Sequence, residues 1–372
     1  MKFITIKENL KQGLAIVSHL TSKNINLPIL NNILIKAKKE GIELTSTNLE
    51  ISIEHFLRGK IEKEGEFTVD SRLINEYISL LPDEKVEIET INDDLKIKGV
   101  NYKTKIKGQT ANDFPVLPKN ENKDSYNLNI NEFKNALSNV IFSVANNDNR
   151  VELSGVFFSF KNNNLTLVGT DSYRLSEKTI KYNNNSNEKS IIVPAKTIQE
   201  LIRILGNLKT EEQLENNEEI KIYINENQIF FSFGSTKLTS RIIIGNYPDY
   251  KQIIPQNEKT IITISKEALI KAVKTAGLFS KTGINDIGLT FKKNKTIIFS
   301  SSSQTGENFI DLDSEIKGED NEIFVNYKYL LEGLNSINSN NIIIKIIDNN
   351  TPCLLQSEEN DNFLYLVMPI RQ

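Results

Sequence analysis

Cysteine, histidine and long apolar runs are all scarce in this 372-residue chain, and each scarcity removes a class of function. The lone thiol, Cys353, forms no internal disulfide, and its setting in TPCLLQS reads as a small apolar filler of a strand. His19 and His55 are the only histidines, and neither has a second histidine or a cysteine at ligand spacing, which argues against a zinc site. His19 closes an amphipathic helix and reads as solvent-facing or capping. No stretch approaches the ~18 apolar residues of a membrane span, and the opening MKFITIKENL has no signal-peptide core, so a cytoplasmic protein is expected. A GxGxxG following a strand, a Walker loop and a GxSxG elbow are also missing, and no cofactor is expected.

What is present is one pattern written three times. KFITIKENLKQGLAIVS, YNLNINEFKNALSNVIFS and TIITISKEALIKAVKTAGLFS each pair an alternating strand with an amphipathic helix, the strands ending at Ile6, Ile130 and Ile264. A second pattern, GEFTVDSRLINEYISLL, KSIIVPAKTIQELIRIL and NEIFVNYKYLLEGLNSI, passes from strand to helix at Val69, Val193 and Val325. Hairpins are expected after each, in VEIETINDDLKIKG, IKIYINENQIFFSFG and IIIKIIDNNTPCLLQS. From the first copy to the second both landmarks move by 124 residues; from the second to the third they move by 134 and 132. The chain is too long for one ordinary core, and three units suit the usual domain size. Amphipathic helices on one face of an antiparallel sheet give an α+β layer architecture. Polar, proline-led junctions fall at PKNENKDS, near 119–125, and at PQNEK, 255–259. Both are short, which suits modules held in a fixed arrangement.

Charge is segregated along this repeat. The helices with their flanks, 7–23, 70–80, 131–143, 196–209, 265–281 and 326–337, carry +2, −1, 0, +2, +3 and 0. They total +6, and the whole chain carries −3, so everything else carries −9. In the third module Ile264, Leu269, Ala272, Val273 and Ala276 form the expected buried stripe, leaving Lys266, Lys271 and Lys274 open. In the second, Ile198, Leu201, Ile202 and Leu205 are expected inside, with Lys196, Arg203 and Lys209 in solvent. Such helices gathered on one surface would attract phosphates without a sequence code, and few aromatics on their polar faces favour duplex over single-stranded nucleic acid.

Carboxylates offer one competing idea. Asp171, in VGTDSYRLS at a strand end, could serve a metal-dependent nuclease, but such a centre needs several converging carboxylates. Asp93, Asp94, Asp311 and Asp313 lie in or beside turns of different modules, and turn formation is the simpler reading. A protein-interaction scaffold without DNA binding is the other alternative.

Several motifs point further. NLPILNNILI at 26–35, LTSTNLEISI at 44–53, DFPVLP at 113–118, LVGTDSYRLS at 167–176, YPDYKQIIP at 247–255 and YLVMPIR at 365–371 resemble the bacterial DNA polymerase III β subunit family, the replicative sliding clamps. The resemblance runs from end to end. It implies three clamp domains, 1–122, 123–256 and 257–372, each with two helices packed on antiparallel sheet, closing as a head-to-tail dimeric ring around duplex DNA. It implies a processivity factor rather than an enzyme, nucleoid-associated in the cytoplasm. The partners implied are the polymerase III α subunit, the clamp-loader δ subunit, and other polymerases, ligase and mismatch-repair proteins carrying clamp-binding peptides.

Residue by residue, the resemblance places a peptide cleft at Arg150, Leu153, Thr170, Ser172, Tyr173, Arg174, Leu175, Pro248, Gln252, Ile253, Asn326, Tyr329, Val367, Met368, Pro369, Ile370 and Arg371. Leu153 and Leu175 are expected as apolar walls, with Arg150 and Arg174 holding acidic groups or carbonyls at the rim. Ser172 and Tyr173 depart from the family's common Gly and His, and Gln252 from its Arg. DNA-facing positions are expected at Lys7, Lys11, Lys23, Asn24, Arg72, Lys134, Asn147, Lys196, Arg203, Lys209, Lys266, Lys271, Lys274 and Lys281.

Overall fold

The computed structural model describes every residue except 22–25, 123, 146–149, 184–186, 208–218, 360–361 and 372. The expected strand–helix pairs are all present. Strands Lys2–Ile6, Tyr126–Asn129 and Thr260–Ser265 run directly into α1 (Lys7–Val17), α3 (Ile130–Ile141) and α5 (Lys266–Gly277). Strands Gly65–Asp70, Lys189–Pro194 and Asn321–Asn326 lead into α2 (Ser71–Leu80), α4 (Ala195–Gly206) and α6 (Tyr327–Ser336). Side-chain caps fix several starts: Asp70 accepts from the Leu73 N–H, and Asn326 from the Lys328 and Tyr329 N–H groups. The three hairpins form as Lys85–Ile91 with Asp94–Lys98, Glu219–Ile224 with Gln228–Phe233, and Asn341–Ile346 with Cys353–Ser357.

Each module repeats one closing device. The end of its last strand, or the chain just after it, pairs back to the strand that precedes the second helix, as Gly108 to Val69, Ile243 to Ile192 and Pro369 to Val325. Successive modules also share sheets. Thr236–Arg241 lies antiparallel on Ile51–Leu57, extending one sheet to thirteen described strands, and Phe363–Val367 lies on Arg174–Lys181 in a sheet of nine. A four-stranded sheet, Gly306–Asp313, Lys295–Ser302, Asp286–Lys292 and Asn321–Asn326, completes the described strands.

Because main-chain hydrogen bonds cross the module junctions, compactness cuts across the sequence repeat. One compact unit holds residues 1–130 and 203–242, the other 131–202 and 243–372. In the second unit Leu269, Val273, Leu330, Leu334, Ile344 and Tyr365 belong to one buried cluster, and Phe142, following α3, packs against it. Gly333 is needed there, since a Cβ would fall 2.1 Å from the Tyr365 ring. In the third module the expected stripe is buried throughout. The stripe of α4 needs one correction: Ile204 is fully buried and Ile202 only partly, because the helical period aligns 204 rather than 202 with Thr197 and Leu201. Cys353 is buried, and burial pushes its thiol up to about 12, in keeping with a strand filler.

Candidate partner-binding site

The expected cleft positions lie within the second compact unit. Their frame is the turn at 170–174. Thr170 Oγ1 donates to the Arg174 carbonyl at 2.6 Å and accepts from the Ser172 N–H at 3.2 Å. Asp171 Oδ1 accepts from the Tyr173 and Arg174 N–H groups at 2.9 and 3.0 Å. The first module builds the same turn with Thr47, Asn48 and Leu49: Asn48 Oδ1 accepts from Glu50 and Ile51 at 3.0 and 2.7 Å. Ser172 and Leu49 hold matching left-handed backbones, φ +77° and +75°. That conformation favours glycine, yet non-glycine residues hold it in both modules. Asp171 is thus a turn former, and its other oxygen accepts from Arg174 Nε at 3.0 Å.

Arg174 corrects an expectation. It is buried rather than displayed at a rim: Nη2 donates to the Phe142 carbonyl at 2.7 Å, Nη1 pairs with Glu332, and Cζ lies 4.5 Å from the Tyr329 ring centroid. With Nε and Nη2 hydrogen-bonded to protein groups and Nη1 in an ion pair, it packs against Tyr329 instead of standing open at a rim. Arg150 fits the expectation better, being half exposed while Nε donates to Glu152 at 3.0 Å and Nη1 to Ser172 Oγ at 3.2 Å. Asn326 spends its side-chain oxygen capping α6.

Leu153, Leu175 and Val367 are fully buried, so they support the cleft more than they line it. Leu175 shares a small cluster with Val168, Leu354, Leu366 and Tyr250, and Tyr247 stacks on Phe157 at 4.8 Å. These rings fasten 247–255 to the sheet, leaving Pro248 half-buried, Ile253 exposed, and Gln252 donating to Asp249 Oδ2 at 2.9 Å. The carboxyl-terminal tail is docked. Met368 N–H donates to the Tyr173 carbonyl at 2.9 Å, Pro369 bridges Val325, and Ile370 N–H donates to the Phe324 carbonyl at 2.7 Å. Met368, Pro369 and Ile370 remain half-buried and Arg371 exposed. The residues missed from sequence are Glu332 and Phe142. An acid one helical turn beyond Tyr329 was the available signal for Glu332.

The basic helix positions divide. Arg72, Lys196, Lys271, Lys274 and Lys281 are exposed; Lys7, Lys11 and Lys134 are half-buried. Arg72 pairs with Glu76 and Lys271 with Glu267 along their helices, while Lys281 lies 4.0 Å from Asp286. Two expectations of open cations are corrected. Arg203 donates to the Ala15 and Ile16 carbonyls at 3.2 and 2.8 Å, and Lys266 Nζ donates to the Ile337 carbonyl. In both cases the unfilled carbonyls of a neighbouring helix end attract the cation. Lys23, Asn24, Asn147 and Lys209 lie outside the described residues.

Repeated α+β modules that share sheets, with a docked tail beside a mixed apolar and polar surface, define a modular binding platform. Family models for the DNA polymerase III beta subunit match the chain three times: the N-terminal domain at 1–118, the central domain at 127–249 and the C-terminal domain at 251–371. The chain is 28% identical to the beta sliding clamp of Bacillus subtilis and 27% to that of Haemophilus influenzae, with all of each chain covered. Among solved structures it superposes on the Bacillus subtilis DNA polymerase sliding clamp with a TM-score of 0.94 at 27% identity, covering 100% of this chain and 99% of that one. A DNA polymerase III beta subunit from Eubacterium rectale gives 0.92 at 29%, both chains covered in full. The chain belongs to the DNA polymerase III beta subunit family, the sliding clamps. It is a processivity factor and not an enzyme, and neither the nuclease nor the DNA-free scaffold reading is supported.

Proposed function

We propose that two copies of this chain close head to tail into a ring around duplex DNA, with domains 1–122, 123–256 and 257–372. DNA, a DNA polymerase and a second copy are the partners that family membership brings. The polymerase III α subunit, the clamp-loader δ subunit, other polymerases, ligase and mismatch-repair proteins are the finer assignments. Their peptides would enter the cleft described above, and the exposed basic helix residues would face DNA. Nucleoid association in the cytoplasm follows from that work; among the described residues no helix is long and apolar enough to cross a membrane.

The observation that carries the ring is the twice-used junction. Ile51–Leu57 and Arg174–Lys181 each receive the last strand of the following module. Among the described strands, their counterpart in the third module, Gly306–Asp313, pairs on one side only, with Lys295–Ser302, and the first module's last strand, Lys103–Gln109, meets Gly65–Asp70 only at Gly108 and Gln109. A second copy supplies what each edge lacks. The Asn308 side-chain oxygen, buried without a hydrogen-bond partner on that edge strand, and the exposed Leu278, Leu73 and Leu80 favour the same reading.

Enclosure retains the protein while direct contacts stay weak enough for sliding. Once placed by a loader, it is therefore expected to remain on circular DNA far longer than on linear DNA of equal length. Equal lifetimes on the two substrates rule out the ring.

A further inference from the structure

The repeat that aligns the turns also aligns the sheet faces turned away from α1 and α3. In the central module Phe157, Val168 and Glu177 stand side by side across three strands, and in the first module Leu34, Thr45 and Glu54 form the matching row. Thr45 lies two residues before Thr47, as Val168 does before Thr170. The central row is covered by its own chain. Tyr247 stacks on Phe157 and donates to the Val168 carbonyl at 3.4 Å, and the Tyr250 hydroxyl donates to Glu177. In the first module the corresponding segment reads DFPVLP, so Phe114–Pro115 answers Tyr247–Pro248 and Leu117 stands where Tyr250 does. Both hydroxyls are missing there. A cavity of about 870 Å³ lies over the row, bordered by 111–120, Tyr223 and Phe230.

The oxygens along this row are short of donors. Thr45 lines the cavity and is 2% exposed, and its Oγ1 is buried with no hydrogen-bond partner among the described residues. The Glu54 carboxylate accepts no hydrogen bond and makes no ion pair among them, and burial raises its pKa. A half-buried acceptor left in this way gains from any group that brings it a donor. We propose that the cavity is a binding site for a tyrosine of a partner segment, its ring taking the room that Leu117 leaves and its hydroxyl donating to Glu54. The volume is that of sites for whole small ligands, ~300–1,000 Å³, so residues flanking the tyrosine fit as well as the ring. Lys36 and Lys38 are taken up by Glu66 and Glu43, whereas Lys237, the cross-strand neighbour of Glu54, is exposed and forms no ion pair among the described residues. It favours an acidic residue beside the incoming tyrosine, the arrangement that Asp249 and Tyr250 present over the central row.

The test uses the full-length protein and a capped synthetic peptide copying residues 246–252, NYPDYKQ, together with its Tyr250→Phe analogue. Titrations followed by saturation-transfer NMR are expected to show the parent peptide binding and the analogue binding about tenfold more weakly, the loss of one hydrogen bond to a charged acceptor. In the protein, Glu54→Ala brings the two peptides to about equal affinity. Leu117→Tyr supplies the ring from the chain itself, so it abolishes binding while the melting temperature stays at or above that of wild type. Free p-cresol is expected to bind at least about tenfold more weakly than the peptide, because it lacks the flanking contacts. A parent peptide that does not bind wild type overturns the site. So do a Tyr-to-Phe ratio unchanged by Glu54→Ala, an affinity unchanged by Leu117→Tyr, and a Leu117→Tyr protein that melts below wild type. Equal affinity for p-cresol and the peptide overturns the partner segment as the source of the ring.

Discussion

At the scale of single residues, several side chains act by holding others. His55 is the clearest case with a measurable consequence. It is buried on the strand where the first and central modules join, with Nδ1 2.9 Å from Thr236 Oγ1. Burial pushes its pKa from 6.5 down to about 4. Between those values the unfolded chain takes up a proton that the native protein refuses, so stability is full above about pH 6.5 and falls as the pH drops toward 4. The slope contributed is at most about 1.4 kcal/mol per pH unit. Urea unfolding midpoints of wild type and His55→Gln across that window are expected to diverge, with the variant showing the flatter acid limb. A scarce histidine was visible in the sequence, but its burial was not, since strand pairing with Thr236 comes from 181 residues away.

At the scale of elements, the edges Lys103–Gln109 and Gly306–Asp313 carry opposite charge. Lys103, Lys105 and Lys107 alternate on one exposed face, and Glu307, Asp311 and Asp313 on the other strand's exposed face. Antiparallel pairing between copies would bring the two rows together, adding cross-strand attraction to the main-chain hydrogen bonds. Lys103→Glu with Lys105→Glu is expected to weaken the dimer by about tenfold or more, and raising salt from ~0.1 M to ~1 M to weaken the wild-type dimer. Sedimentation equilibrium decides it: a dimer indifferent to both changes places the contact elsewhere. The helices give the complementary lesson. The buried stripe of α5 was legible from period alone and that of α4 but for Ile202, whereas Arg203 and Lys266 are taken by neighbouring helix ends that the period does not show.

At the scale of the whole molecule, the roles proposed for the tail and for the sheet edges fall on different segments. Residues 368–370 bond to Tyr173, Phe324 and Val325, while the proposed dimer uses other strands. Removing the last five residues is therefore expected to abolish peptide binding and leave the dimer intact. Peptide affinity by anisotropy, alongside light-scattering mass, measures both in one sample, and unchanged affinity refutes the cleft assignment.

The sequence by itself determined the threefold repeat, the strand or helix type of the elements placed at each repeat landmark, and the buried stripe of α5 with most of that of α4. These are local properties, written as periods of two and 3.6 and as capping residues at element boundaries. Its motifs also reached the family, because they sit in turns whose backbone demands particular side chains, as at Thr170–Arg174 and again at Thr47–Ile51. Only the tertiary structure decided which charges are spent inside the protein, which cleft residues are floor and which are surface, and that Tyr173 comes to lie beside Tyr329. Those outcomes depend on contacts between distant segments. A cation's freedom is set by whichever carboxylate or helix-end carbonyl the fold brings within reach, and no one-dimensional pattern encodes that distance.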